Sequence, residues 1–340
     1  MASNSEQVYS LQILRGAAAT AVVYLHTFTL PLNGSFGVDL FFVVSGFVMC
    51  MIIDSGRPTP TVFLLNRITR IVPLYWAVTT MVLVVASIAP HLMGSTVADL
   101  GNYLKSLFFI PHFRHDGQLF PVLMPGWTLN YEAVFYLTIF ATLIVRKENF
   151  AWPVCMLLAL FFITSSIDSP TSVVYQFFHN SLWFEFVLGI LCFKIHRAGL
   201  IASVPKAVAV VVILVSAAVM VGVDLKTDRL INAGLPSFFI LLFALRLEES
   251  IRSLNPVVLR LLIHIGDASY ATYLSHMFVI GLVERIAFPM LGFDEKNMLT
   301  AAFTIGCCLI AGSLIYRFVD LPMMRECRKL TGRWQVRFVT

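Results

Sequence analysis

The chain has 340 residues, of which 58% are hydrophobic and 13% charged, and its mean hydropathy is +0.83. Soluble domains carry roughly 25% charged residues, so this composition excludes a soluble globular protein with a polar surface. The net charge of +5 needs no nucleic-acid partner to explain it, because the basic residues follow the loops of a membrane protein. The chain is therefore predicted to be an all-α integral membrane protein.

Hydropathy and segment length predict a single domain of about ten transmembrane helices. In chain order, the predicted spans are residues 9–30, 36–53, 71–90, 127–145, 150–167, 181–195, 206–223, 233–246, 268–291 and 298–319. Two further apolar stretches, 103–111 and 256–264, are too short to cross a bilayer and are predicted to be interfacial or re-entrant helices. The membrane domain is predicted to occupy residues 1–320, and a basic cytoplasmic tail residues 321–340.

The basic residues indicate how the helices are oriented. They are concentrated in alternate loops and in the tail, and they are sparse in the loops between. The positive-inside rule then places both termini in the cytoplasm and requires an even number of crossings. No cysteine lies in a predicted outer loop and no zinc-binding pattern is present, so we expect neither a disulfide nor a bound metal.

The first predicted span contains two ionisable residues, Arg15 and His26. Their eleven-residue separation returns almost to the same helix face and spans roughly 16 Å along the axis. Ionisable residues inside a membrane are costly and usually mark a functional site. A snorkelling arginine and an interfacial histidine are the alternative interpretation.

The second span opens with Asp39, near the predicted outer surface, and the cytoplasmic loop that follows carries Arg67 and Arg70. These two arginines share a face if the stretch is helical. Paired guanidinium groups beside a membrane suit phosphate groups, because each offers a planar fork of donors. Anchoring to lipid headgroups is the alternative.

Two more ionisable residues lie inside predicted spans. Glu132 is about five residues into the fourth span, at a depth similar to that of His26. A buried carboxylate needs a partner, and one that orients an imidazole is a familiar general-base arrangement, so Glu132 is predicted to pair with His26. His276 lies deep in the ninth span, where a lone histidine is more often a packing residue than a catalyst.

Together these residues give the chain a family resemblance over residues 9–320. Five blocks stand in the order typical of the membrane acyltransferase-3 family: Arg15 with His26, FGVDLFFVVSGF (36–47), the RxxR pair Arg67 and Arg70, WTLNYEAVFYL (127–137) and SYATYLSHMFV (269–279). The chain resembles most closely the branch that acetylates bacterial exopolysaccharides. The resemblance implies a multi-pass protein of the bacterial inner membrane that transfers acyl groups, usually acetyl from acetyl-coenzyme A, to sugars.

The resemblance also implies a role for each of these residues. His26 is expected to be the catalytic base that deprotonates a sugar hydroxyl, with Glu132 orienting it or stabilising its charge. Arg15, Arg67 and Arg70 are expected to bind coenzyme A, whose pantetheine arm, on the order of 15–20 Å long, is comparable to the rise from Arg15 to His26. Transfer through an acyl-His26 intermediate is an open alternative to direct transfer.

The acceptor is expected to be a saccharide, either exported or still lipid-linked. Its predicted contacts are Asp39, Trp127, Asn130, Tyr131 and His276, since aromatic faces stack on sugars; the aromatic residues fit an interfacial belt equally well. The main alternative function is a transporter or flippase of a lipid-linked sugar, which would use the same buried charges along its pathway. No inverted repeat supports that alternative. A purely structural scaffold would leave Arg15, His26 and Glu132 unexplained.

Overall fold

A computed structural model describes residues 8–27, 36–56, 58–94, 96–145, 149–222, 228–293 and 297–330. Within these ranges the chain forms helices and no strand, which confirms the predicted all-α class. The α-helices, in chain order, are α1 (Tyr9–Thr27), α2 (Phe36–Gly56), α3 (Pro60–Ile88), α4 (Leu100–Leu107), α5 (Trp127–Val145), α6 (Ala151–Ser165), α7 (Val173–Phe178), α8 (Leu182–Arg197), α9 (Lys206–Gly222), α10 (Leu235–Arg246), α11 (Glu248–Arg252), α12 (Pro256–Asp267), α13 (Ser269–Leu282), α14 (Phe288–Leu291), α15 (Met298–Ile315) and α16 (Leu321–Leu330).

Short segments of other helix types join these elements. The 3-10 turns are Pro90–Leu92 and Met124–Gly126, and the π-helical segments are Leu230–Gly234, Val283–Ala287 and Tyr316–Asp320. A π-helical segment inside an α-helix is frequently found at a functional site. The segment Tyr316–Asp320 is of this kind, because it connects α15 directly to α16.

Among the residues that the structure describes, six helical segments are long and apolar enough to cross a membrane: Phe36–Gly56, Pro60–Ile88, Met124–Val145, Val173–Arg197, Ser269–Leu291 and Met298–Leu330. The chain is thus a multi-pass membrane protein, whereas the count of about ten spans stays a prediction. Helix α1 covers the first predicted span as far as Thr27, and residues 28–30 lie outside the described ranges. The two short apolar stretches form α4 and α12; their interfacial or re-entrant placement also stays a prediction.

The third predicted span, which starts at residue 71, begins inside a longer helix. Helix α3 begins at Pro60, so Arg67 and Arg70 lie in its early turns rather than in a loop. Thr59 caps the helix by accepting a hydrogen bond from the Val62 amide at 3.3 Å, and proline at the first helical position needs no amide donor. Hydropathy missed this start because the two arginines lower the local average without interrupting the helix.

The chain divides into two compact units. Among the described residues, the first unit comprises 8–27, 36–56, 184–222, 228–293 and 297–318, and the second comprises 58–94, 96–145, 149–183 and 319–330. The predicted membrane domain at 1–320 and tail at 321–340 stay predictions, and residues 331–340 of the tail lie outside the described ranges.

In the first unit, α1 packs against α2, α12 and α13. Glycines let helices approach closely: a Cβ at Gly46 of α2 would overlap the Phe186 carbonyl, and one at Gly189 of α8 would overlap the Val43 carbonyl. The start of α1 is also fixed. The two carboxylate oxygens of Glu248 accept hydrogen bonds from the Tyr9 and Ser10 amides, each at 2.9 Å.

In the second unit, α3 packs against α4, α5 and α16, and aromatic side chains fill the core. The Tyr131 ring lies 4.4 Å from that of Phe177 and 4.8 Å from that of Trp183, centroid to centroid. Trp183 is fully buried and also stacks on Phe178 at 5.8 Å. Large aromatic surfaces of this kind bury more area than any other side chains and hold α5 and α7 together with the start of α8.

Candidate functional site

In the first unit, two histidines that are 250 positions apart in sequence face one another. The imidazoles of His26, at the end of α1, and His276, in the middle of α13, have centroids 5.1 Å apart and planes inclined by 35°. His276 is fully buried, whereas His26 is only partly buried. His276 therefore contacts an ionisable residue of another helix, His26, for which the family resemblance implies the role of base.

The hydrogen bonding of His276 fixes its tautomer. Its Nδ1 lies 2.6 Å from the Tyr273 carbonyl oxygen, and since a carbonyl only accepts, Nδ1 must carry the proton. In the neutral ring the other nitrogen, Nε2, is then an acceptor. This atom is buried and has no hydrogen-bond partner among the described residues. A buried acceptor without a partner is unusual, and it is available to a hydroxyl or N–H group that enters the site.

The first unit also contains a buried charge cluster around Asp39. Arg229 donates to both carboxylate oxygens, from Nε at 2.8 Å and from Nη2 at 2.9 Å. Glu185, like Asp39, is completely buried and lies beside the Asp39 carboxyl group. Both carboxylate oxygens of Glu185 are buried and have no hydrogen-bond partner among the described residues. The cluster thus holds two buried carboxyl groups beside one guanidinium group, which bonds to Asp39.

Neither Glu185 nor Arg229 was predicted from the sequence to be a site residue. A signal for Glu185 was present: it is a carboxylate inside the predicted span 181–195, and by the argument applied to Glu132 such a residue needs a partner. Arg229 lies in a predicted outer loop and carries no comparable signal. Their position near Asp39 depends on how α2 and α8 pack, which composition does not reveal.

The second unit collects a different set of charges around the RxxR pair. Arg70 Nη1 donates to Asp320 Oδ2 at 2.8 Å and to Met324 Sδ at 3.4 Å. Arg67 is partly exposed, although its Nε atom is buried without a hydrogen-bond partner among the described residues. Electrostatic neighbours of Arg67 are Tyr136, Arg70, Glu132 and Arg328.

Glu132 thus lies among the groups that face Arg67, within the second unit. Its predicted pairing with His26, which belongs to the first unit, stays a prediction. The sequence analysis missed Asp320 and Arg328. Asp320 fell at the predicted end of the last span, and Arg328 was counted only as one of several basic residues in the tail.

The three remaining acceptor candidates lie in the first two turns of α5, in the second unit. Tyr131 is buried in the aromatic core, and the Trp127 ring meets it edge-on at 5.9 Å. Asn130 is buried, and its Oδ1 has no hydrogen-bond partner among the described residues. Of the predicted donor-binding arginines, Arg67 and Arg70 lie together, while Arg15 is in the first unit, partly buried on α1.

Comparison with known proteins gives a consistent result. The acyltransferase-3 family, described as an acyltransferase domain, matches residues 8–317. The exopolysaccharide production protein ExoZ of Rhizobium meliloti (strain 1021) is similar to this chain, with 31% identity over 89% of the chain and 92% of that protein. The acyltransferase MdmB of Streptomyces mycarofaciens is 27% identical over 91% of the chain and 84% of its own length.

A third relative extends beyond the region that matches. A putative O-acetyltransferase of Staphylococcus aureus (strain COL) is 25% identical over 92% of the chain, which corresponds to 56% of its own length. No solved structure matches the chain. The family match therefore covers both histidines and the RxxR pair.

Proposed function

The chain belongs to the acyltransferase-3 family and is an acyltransferase, and from that premise we propose that it transfers an acetyl group from cytoplasmic acetyl-coenzyme A to a sugar hydroxyl. The acceptor in this proposal is an exported bacterial polysaccharide or its lipid-linked precursor. Support comes from the name of the exopolysaccharide production protein and from the staphylococcal relative's designation as a putative O-acetyltransferase.

In the proposed reaction His26 is the general base. It takes the proton of the acceptor hydroxyl while the oxygen attacks the thioester carbonyl. The carbon–sulfur bond then breaks, and the imidazolium returns the proton to the coenzyme A thiolate, so the ester and the free thiol are the only products. A route through acyl-His26 is the alternative and would yield the same products in two steps.

The observation that carries this proposal is the contact between His26 and His276. The bare Nε2 of His276 offers an acceptor for a sugar hydroxyl close to the base, which is why we assign it to acceptor binding. Asp39, Trp127, Asn130 and Tyr131 remain proposed acceptor contacts, and Glu132 remains a proposed catalytic group. Arg15, Arg67 and Arg70 are proposed to bind the phosphates of the donor, to which guanidinium groups bond as planar forks.

The test is release of coenzyme A thiol by the purified protein, given acetyl-coenzyme A and a lipid-linked saccharide extract from a bacterial membrane. We expect His26→Ala to lower kcat on the order of a hundredfold or more, which is the range for loss of a general base. A matched control is His264→Ala, because His264 is a partly buried histidine of the same unit outside the pair.

The possible outcomes separate the hypotheses. Extract-dependent thiol release that is lost in His26→Ala and kept in His264→Ala supports the assignment. Release that persists in His26→Ala removes His26 as the base. Movement of the lipid-linked sugar across vesicles without any acyl transfer to it would contradict the proposal and favour a flippase.

We further infer that the protein lies in the bacterial inner membrane with both termini in the cytoplasm, because the basic residues follow the positive-inside pattern. Reporter fusions at each terminus test this. A periplasmic signal from either one would contradict it.

A further inference from the structure

We propose that α16, the helix after the last predicted span, completes the donor-phosphate site by supplying Arg328 as a third guanidinium group beside Arg67 and Arg70. In the same proposal Asp320 is a positioning residue that orients Arg70. The inference rests on the proposed function, since it takes the donor to be a coenzyme A thioester, and it assigns to that site a helix on which the sequence analysis placed no site residue.

The first support is the face that α16 turns toward α3. Asp320, Met324 and Arg328 follow one another at intervals of four, so they lie on one side of the helix. Asp320 and Met324 both contact Arg70 Nη1, and Met324 is buried. Because α16 packs against α3, the same face carries Arg328 toward the RxxR pair.

The register of the two helices agrees with this. Asp320 and Met324 meet Arg70, and Arg328, farther along α16, lies in the electrostatic environment of Arg67, the earlier residue of α3. The order along one helix is thus the reverse of the order along the other, as it is between antiparallel neighbours. Three guanidinium groups are brought together by two helices that are 250 positions apart in the chain.

A cluster of guanidinium groups points to an anionic ligand. Arg67, Arg70 and Arg328 share an electrostatic environment that also contains the Glu132 carboxylate, and Asp320 bonds to Arg70. The buried Nε of Arg67 has no hydrogen-bond partner among the described residues. A phosphate offers several acceptor oxygens, one of which can accept from the Arg67 Nε, and carries the negative charge that clustered guanidinium groups bind. The diphosphate and 3′-phosphate of coenzyme A have this chemistry, and so does the phosphate of a lipid headgroup.

An exposed residue of α16 supplies the control. Arg325 is exposed on the same helix, and Glu326 and Lys329 are exposed partners of one another at 2.6 Å. Arg325→Gln and Arg328→Gln make the same change of side chain and charge, one at an exposed and the other at a partly buried position of the same helix. A general effect of net charge, or of weaker binding of α16 to a membrane surface, would change both variants alike.

The experiment measures steady-state acyl transfer by the full chain in maltoside detergent, with two donors. Acetyl-coenzyme A carries the phosphates, and S-acetylpantetheine carries the same thioester without them. We expect Arg328→Gln to raise the KM for acetyl-coenzyme A about tenfold with kcat unchanged, which corresponds to one charge-assisted hydrogen bond. With S-acetylpantetheine, wild type and Arg328→Gln should have the same KM. Arg328→Lys keeps the charge but loses the planar fork of donors, so its KM for acetyl-coenzyme A should lie between those of wild type and Arg328→Gln.

A second arm separates the two sources of phosphate. The assay is repeated after adding phosphatidylglycerol, and a difference between wild type and Arg328→Gln that arises only with this lipid would overturn the donor assignment in favour of a headgroup. Equal KM values for Arg328→Gln and Arg325→Gln would overturn the inference and leave the proposed function standing. If wild type transfers acetyl groups equally well from both donors, a phosphate site for the donor is excluded in this protein.

Discussion

The two units treat buried charge in different ways. In the first unit, Asp39 is engaged on both oxygens by Arg229, and Glu248 uses both of its oxygens on backbone amides of α1. In the second unit, Arg67, Arg70 and Arg328 share one electrostatic environment with Glu132, and Arg70 bonds to Asp320. Asp39 and Glu248 are thus paired within the protein, whereas in our proposal the clustered guanidinium groups bind an anionic donor. We expect the pairs of the first kind to serve stability, in addition to the proposed contact of Asp39 with the acceptor, and the cluster of the second kind to serve donor binding.

The units differ in packing as well. Close helix contacts in the first unit depend on glycine, as between Gly46 of α2 and Gly189 of α8. The second unit builds its core from aromatic rings, with Tyr131 and Trp183 at the centre. Glycine contacts fix the distance between two helix axes, whereas aromatic clusters fill a wider gap. His26, the proposed base, and His276 lie in the unit whose helices make these glycine contacts, with ring centroids 5.1 Å apart.

The largest effect should come from Arg229→Gln, which tests whether the acid cluster is structural. The change leaves Asp39 and Glu185 buried without their cation, and breaking a buried pair in this way costs about 3 kcal/mol or more. Thermal unfolding in detergent measures the loss. The double variant Arg229→Gln with Asp39→Asn should recover most of the stability, because it removes a carboxylate together with the cation. A double variant as unstable as Arg229→Gln would show that the cluster does not act through charge.

A smaller effect is expected from Gly189→Ala, which sharpens the difference in packing. The added methyl group would overlap the Val43 carbonyl, and overpacking a tight contact costs about 1–3 kcal/mol. Gly281→Ala is the control, since a Cβ there would meet no atom within 4 Å. The unfolding temperature should fall only for Gly189→Ala. Equal behaviour of the two variants would remove the argument that glycine sets the spacing of α2 and α8.

The smallest effect on stability should come from Arg67→Gln, although its effect on donor binding should be clear. Removing one of the clustered cations relieves repulsion, so the free energy of unfolding should change by less than about 0.5 kcal/mol, as for other partly exposed positions. The KM for acetyl-coenzyme A should rise about tenfold. A strong loss of stability with an unchanged KM would reverse the contrast between the units, because the RxxR pair would then be structural.

The helical class and the positions of most helices were predictable, because long apolar runs have few alternatives in a membrane. The partners of the helices were not. Lipid-facing and helix-facing apolar surfaces have the same composition, so nothing in the sequence places His276 against His26, or α16 against α3. The start of α3 was missed because hydropathy averages over Arg67 and Arg70, while Thr59 and Pro60 carried the local signal. Arg328 was missed because the positive-inside rule counts charges without asking what they contact.

The carboxylate of Glu248 at the start of α1 has a consequence at the far end of that helix. An α-helix transmits any axial slip along its whole length, so a shift by one residue would move His26 by roughly 1.5 Å and turn its side chain by about 100°. Glu248 accepts hydrogen bonds from the Tyr9 and Ser10 amides, and Arg252 donates to Glu248 and lies over the Tyr9 ring. These contacts fix the axial position of α1 and therefore the position of the His26 imidazole. The orientation of the proposed base is thus fixed by contacts about five turns away, at the opposite end of α1.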